Sequence, residues 1–148
     1  MGALGILADV SHLSEPGFWD VLEHSRLPVI ASHSNAKSLC GHTRNLTDEQ
    51  ITAIINNQGI VGLNFFHLFL GGGVDLDTVR AHLDHILDLG GERAAALGGD
   101  WDGCTTIEAL PDITALTGLY EYLLDRGYGE TLLRQVFYQN LMDVVSKR

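Results

Sequence analysis

Four apolar runs recur along this 148-residue chain, and each is followed by a helical pattern. The spacing is roughly 30 residues per unit, the length of one strand–helix repeat. Strands are expected at 5–10, 28–32, 60–65 and 94–98. The run 28–32 is continuously apolar, which suits a strand buried on both faces. Helices are expected at 16–26, with Ser14 or Glu15 near the start, and at 48–57. Thr47 followed by Gln50 forms a capping box for the second of these, and Gly59 stops it. A third helix, 76–89, carries Val79, Leu83, Ile86 and Leu87 on one stripe and ends at Gly90-Gly91. The remainder reads as helix 118–126, then two short helices or one kinked helix over 130–145.

Regular strand–helix alternation means right-handed crossovers and a parallel sheet. The fold class is therefore α/β. Four such units make half of an eight-stranded barrel, which takes about 250 residues when complete. The whole chain, 1–148, reads as one half-barrel domain, with no linker and no low-complexity tract. An open doubly wound sheet is the runner-up, but no glycine-rich dinucleotide loop follows the first run. The triplet Gly71-Gly72-Gly73 precedes a helix but leaves a loop rather than a strand.

Composition narrows the partners. The net charge is −10 with only 9 Lys and Arg, so no basic face is available for a phosphate backbone, and a nucleic-acid partner is excluded. No apolar run reaches the roughly 20 residues of a membrane helix. Residues 1–6 lack a basic leader and a cleavage pattern. Cys40 and Cys104 form no CxxC or disulfide framework, which makes a reducing, cytoplasmic compartment the default.

The chemistry gathers at the ends of the runs. His12 closes Asp9-Val10-Ser11-His12 and His33 closes Ile30-Ala31-Ser32-His33, one βα unit apart. Side chains at the C-terminal ends of adjacent parallel strands share one rim. Two imidazoles there either ligate a metal or are rim histidines hydrogen-bonded to Ser11, Ser32 or Ser34. Asp100 follows Gly98-Gly99 at the fourth strand end, where a carboxylate can carry a proton from water to a leaving amine. A turn-forming Asp is the alternative, and Asp102 fits that better than Asp100. His82 and His85 read as outer-helix surface, as does His24. His67, among Phe65, Phe66 and Phe69, and His42, near Arg44, are candidates for ligand contact.

The motifs Asp9-Val10-Ser11-His12-Leu13-Ser14, Ser32-His33-Ser34-Asn35-Ala36, His42-Thr43-Arg44-Asn45-Leu46-Thr47-Asp48, Val61-Gly62-Leu63-Asn64-Phe65 and Gly98-Gly99-Asp100-Trp101-Asp102-Gly103 occur in that order. Together they resemble the C-terminal half of the membrane (renal) dipeptidase family, binuclear zinc peptidases of the amidohydrolase type. The resemblance covers nearly the whole chain, including Leu123-Leu124-Asp125-Arg126-Gly127-Tyr128 and Asn140-Leu141.

The resemblance implies roles. His12 and His33 correspond to the histidine ligands of the second zinc. Asp100 corresponds to the carboxylate beside the metal pair that moves the proton or holds the substrate amine. Arg44 corresponds to the residue that grips the dipeptide's C-terminal carboxylate, a task suited to a guanidinium fork. The implied reaction is zinc-dependent hydrolysis of a dipeptide, in which the metals activate water and polarise the scissile carbonyl. The family's first-strand His-x-Asp pair, bridging Glu and upstream His have no counterpart in these residues. Residues 1–4 read as the end of a helix before the fifth barrel strand. Two imidazoles, with Asp100 as a possible third ligand, would hold one ion only. Two expectations follow: an incomplete zinc dipeptidase that self-associates or pairs with a missing N-terminal half, or a non-catalytic half-barrel binding at most one metal ion.

Overall fold

The computed structural model describes residues 2–147. Its elements in chain order are β1 (Ala8–Asp9), α1 (Glu15–His24), β2 (Val29–Ala31), α2 (Asp48–Asn56), β3 (Ile60–Asn64), α3 (Leu76–Asp88), β4 (Ala95–Gly99), α4 (Leu116–Asp125), α5 (Glu130–Arg134) and α6 (Asn140–Ser146). The strands form one sheet in the order β1-β2-β3-β4, and every pair is parallel. Consecutive strands are neighbours throughout, so the order never reverses as it would in a doubly wound sheet.

Local chemistry sets the boundaries. Ser14 caps α1 by accepting from the Gly17 N–H, with a proline in the first turn. Both halves of the Thr47–Gln50 capping box are formed at α2. β1 is shorter than the expected 5–10 because Gly5, at φ 68°, turns the chain back through a bond from its N–H to the Gly2 carbonyl. Gly2–Leu4 is a single 3₁₀ turn, and Met1 lies outside the described residues. β4 runs one residue later than expected because the ladder shifts register between Leu63 and Asn64.

The sheet is covered on both faces. Val29, Ala31, Val61, Leu63 and Ala95 pack with Phe18, Ile51, Ile54, Val79, Leu83 and Ile86. Ile60 and Ala96, at alternate positions, meet Val144 of α6, flanked by Leu7 and Ile30. α5 and α6 are joined through a π-helical turn, Gln135–Gln139, which is the kink expected within 130–145. Buried Asn140 donates to the carbonyls of Glu92 and Ala95 at 2.9 and 2.8 Å, tying α6 to the N-terminal end of β4.

One expectation fails. His82 is not on the surface: it is 1% exposed. Its Nδ1 accepts from the Ala36 N–H at 3.1 Å. Val79 three residues before it and Ile86 four after it are both buried, so His82 lies on the core-facing stripe of α3. His85 is half-buried and contacts Asp48 Oδ1 at 2.8 Å and Ser38 Oγ at 2.9 Å. His24 is exposed, as expected. Among the described residues no helix is long and apolar enough to cross a membrane.

Candidate metal centre

The site begins where β1 and β2 end. Asp9 Oδ1 accepts from the backbone N–H of Ser11 and of Ser32, each at 3.1 Å. The Ser32 hydroxyl donates to the other oxygen of Asp9. Ser11 Oγ accepts from the His33 N–H at 3.0 Å. Each strand end is thus laced to the other by side chains where the ladder stops. Burial works to raise the Asp9 carboxyl, but the hydrogen bonds from Ser32 and Ser11 outweigh it and hold the group below its ordinary value.

The lacing orients His33. Ser32 Oγ spends its proton on Asp9, so at 2.7 Å it accepts from Nδ1 of His33. The His33 proton is therefore on Nδ1 and the lone pair on Nε2. That Nε2 faces Nε2 of His12 at 2.9 Å. Burial pushes His33 below its ordinary value, with the charges of Asp100 and Asp9 opposing and those of His12 and Arg44 assisting. A neutral imidazole with its lone pair aimed outward is the ligating form.

The donors suit one divalent cation. At the zinc–imidazole bond length, nitrogens 2.9 Å apart subtend about 90° at a shared ion, and tetrahedral geometry needs an opening of only about 0.4 Å. Among the described residues no group of three or more His, Cys, Asp and Glu is arranged to hold a metal.

Close backbone approach brings β4 under the site. A Cβ on Gly98 would lie 2.2 Å from the Ser32 carbonyl oxygen and 2.9 Å from His33 Cα. A Cβ on Gly62 would lie 2.1 Å from that same oxygen. Glycine at both positions lets the end of β2 lean over β3 and β4. Gly99 and Asp100 then adopt left-handed φ of 62° and 68°. Asp100 Oδ2 accepts from Asn64 Nδ2 at 2.9 Å.

Arg44 is anchored beside His12. Its Nε donates to the Ser11 carbonyl at 2.8 Å, its guanidinium lies 5.4 Å from the Phe69 ring centroid, and its Nη2 is buried with no partner among the described residues. Arg44 also lines a cavity of about 260 Å³ with Ser11, Lys37 and Asn45. His42 supports this loop by accepting from the Arg44 N–H and packing on Phe69. His67 packs edge-on against Phe66. Trp101 Nε1 donates to the Leu110 carbonyl, so it is structural. The sequence reading missed Asp9 and Asn64, whose partners lie 23 and 36 residues away.

This is an α/β protein of parallel βα units with two imidazoles converging at the C-terminal rim of its sheet. The family model for membrane dipeptidase, peptidase family M19, matches residues 1–148, and the chain belongs to that family. A Klebsiella pneumoniae protein, described only as uncharacterised and encoded in the pqqA 5′ region, is 38% identical over 98% of this chain and 56% of its own length. The crystal structure of a Rhodobacter sphaeroides metallo peptidase, liganded with a phosphinate mimic of the dipeptide L-Ala-D-Ala, superposes with TM-score 0.93. It is 38% identical, over 98% of this chain and 43% of that one. An amidohydrolase from Pseudomonas aeruginosa gives TM-score 0.88 at 26% identity, over 99% of this chain and 54% of that one. The chain thus spans about half the length of the relatives it matches.

Proposed function

We propose that this chain forms one half of a (β/α)8 barrel and carries the second-zinc side of a dipeptide-hydrolysing centre. The observation that carries the reading is the 2.9 Å approach of His12 Nε2 to His33 Nε2, with the His33 tautomer set from behind by Ser32 and Asp9. Zinc bound there would lower the pKa of water and polarise a scissile carbonyl. Asp100, held on the same rim, moves the proton from the attacking water to the departing amine. Arg44, anchored to the Ser11 carbonyl on this rim, would grip the carboxylate of the dipeptide through its guanidinium. The phosphinate dipeptide mimic bound by the Rhodobacter sphaeroides relative supports this substrate class.

The partner is a second barrel half, from another copy of this chain or from an N-terminal unit. β1 is paired with β2 on one side only. Beside it Leu4 and Ile6 are 79% and 49% exposed, and a cavity of about 710 Å³ opens between Ala3, Ile6, Ala8 and Val21. An unpaired strand with apolar neighbours is a docking edge. A reducing, cytoplasmic location is proposed from the two unpaired thiols of Cys40 and Cys104.

A second reading, a non-catalytic domain that holds at most one ion, is favoured by the ligand count among the described residues. Two measurements separate them: zinc titration of the chain, and hydrolysis of L-Ala-D-Ala by the chain with and without a separately expressed N-terminal half. Zinc binding with turnover supports the hydrolase. Zinc binding without turnover under either condition supports the second reading, as does no zinc binding, which removes the hydrolase.

A further inference from the structure

Asn64 is the last residue of β3 and is fully buried, with 0% exposure. The ladder to β2 has ended by this point, its last registered pair being Ala31 and Val61. A side chain takes over from the missing strand. Asn35 Oδ1 accepts from the Asn64 N–H and Asn35 Nδ2 donates to the Asn64 carbonyl, both at 2.9 Å. The Asn64 backbone is therefore clamped independently of its own side chain.

That leaves the Asn64 amide free for another task, and its orientation is determined. Its Oδ1 accepts from the Phe66 N–H at 2.7 Å. An oxygen must face that N–H, so the other end of the amide is Nδ2, a donor. Nδ2 points at Asp100 Oδ2, 2.9 Å away. Asp100 needs such a hold. Its backbone is left-handed, a conformation that disfavours a side chain. Its other oxygen, Oδ1, occupies space that a Cβ on Gly103 would approach to 2.3 Å.

We propose that Asn64 is the positioning residue for Asp100: its amide engages Oδ2 and fixes the plane of the carboxylate that moves the proton. The chain of contacts runs Ala36–Asn35–Asn64–Asp100, anchored from beneath by His82 at Ala36. This rests on the reading of Asp100 as the proton carrier, and the test below separates the two.

Asn64→Asp preserves shape and the acceptor for Phe66 N–H, but replaces the donor with a carboxylate facing Asp100. In the swapped pair, Asn64→Asp with Asp100→Asn, the amide stands on the other side and the bond re-forms. The single variant is expected to shift the unfolding constant of the whole chain about tenfold or more toward unfolding, and the swapped pair to recover to within about threefold of wild type. A role confined to Phe66 would leave the swapped pair no better than the sum of the two single variants, because a carboxylate buried at position 64 is costly by itself. Additive effects in the swap, or a neutral Asn64→Asp, overturn the proposal. This cycle needs no turnover, so it decides Asn64 even if the chain hydrolyses nothing. Where hydrolysis is measured, Asn64→Ser should lower kcat about ten- to hundredfold with KM little changed, and should add no further loss to Asp100→Asn. A rise in KM at unchanged kcat, or an added loss in the double variant, also counts against it.

Discussion

Ser32 donates its hydroxyl proton to Asp9 and, with the lone pair that remains, holds Nδ1 of His33 at 2.7 Å. Removing that hydroxyl leaves the His33 ring free to change tautomer and rotate. Ser32→Ala is expected to weaken cobalt or zinc affinity about 10- to 100-fold, as loss of an outer-shell partner does. The visible absorption of a cobalt titration reads this directly, and an unchanged affinity would show that the relay is ornamental to metal binding.

Arg44 has its guanidinium held in place by an Nε committed to the Ser11 carbonyl. Arg44→Lys keeps the charge and loses the fork. KM for a dipeptide with a free C-terminal carboxylate should rise about tenfold or more, while hydrolysis of the matching dipeptide amide should not respond. Equal effects on both substrates would place Arg44 in scaffolding rather than recognition.

Burial pushes the pKa of His82 to about 4, below its ordinary 6.5. The unfolded chain therefore binds an extra proton in the window between these values, and stability falls as pH drops through it. The loss should reach about 3 kcal/mol at pH 4. Urea unfolding at pH 7 and pH 4 measures it. In His82→Leu the starting stability should be lower, because the Ala36 N–H loses its acceptor, and the acid dependence through this window should flatten.

Gly98→Ala puts a methyl group 2.2 Å from the Ser32 carbonyl oxygen. Backbone must yield, at a cost of about 1–3 kcal/mol or more, and the His12–His33 spacing should open with it. Gly118, within α4 and with nothing inside 4 Å of its added Cβ, is the control. Gly118→Ala should stabilise by up to about 1 kcal/mol with metal affinity untouched. Thermal unfolding and cobalt titration of both variants check the contrast.

Local signals carried much of this molecule. The capping box at Thr47 and Gln50 and the apolar stripe of α3 depend on neighbours a few residues away, and both formed as read. The convergence of His12 and His33 was legible because adjacent parallel strands bring their ends together whatever lies between. What escaped depends on partners far along the chain. Asp9 reads as an ordinary strand-end acid until Ser32 folds beside it. Asn64 reads as a polar interruption until Asn35 clamps its backbone. His82 was missed for a different reason: its place on the inward stripe was visible, but an ionisable side chain weighs against burial unless a backbone donor such as Ala36 N–H is known to meet it.

α6 docks at the end of the sheet opposite the imidazoles, through Asn140 on the Glu92 and Ala95 carbonyls and Lys147 on Gln58. A fluorophore, resin linker or sensor surface coupled near Lys147 would therefore leave the histidine rim turned toward the surrounding liquid. Immobilised this way, the protein would present the proposed cation site to each ion passed over it in turn, so that one small preparation tests many.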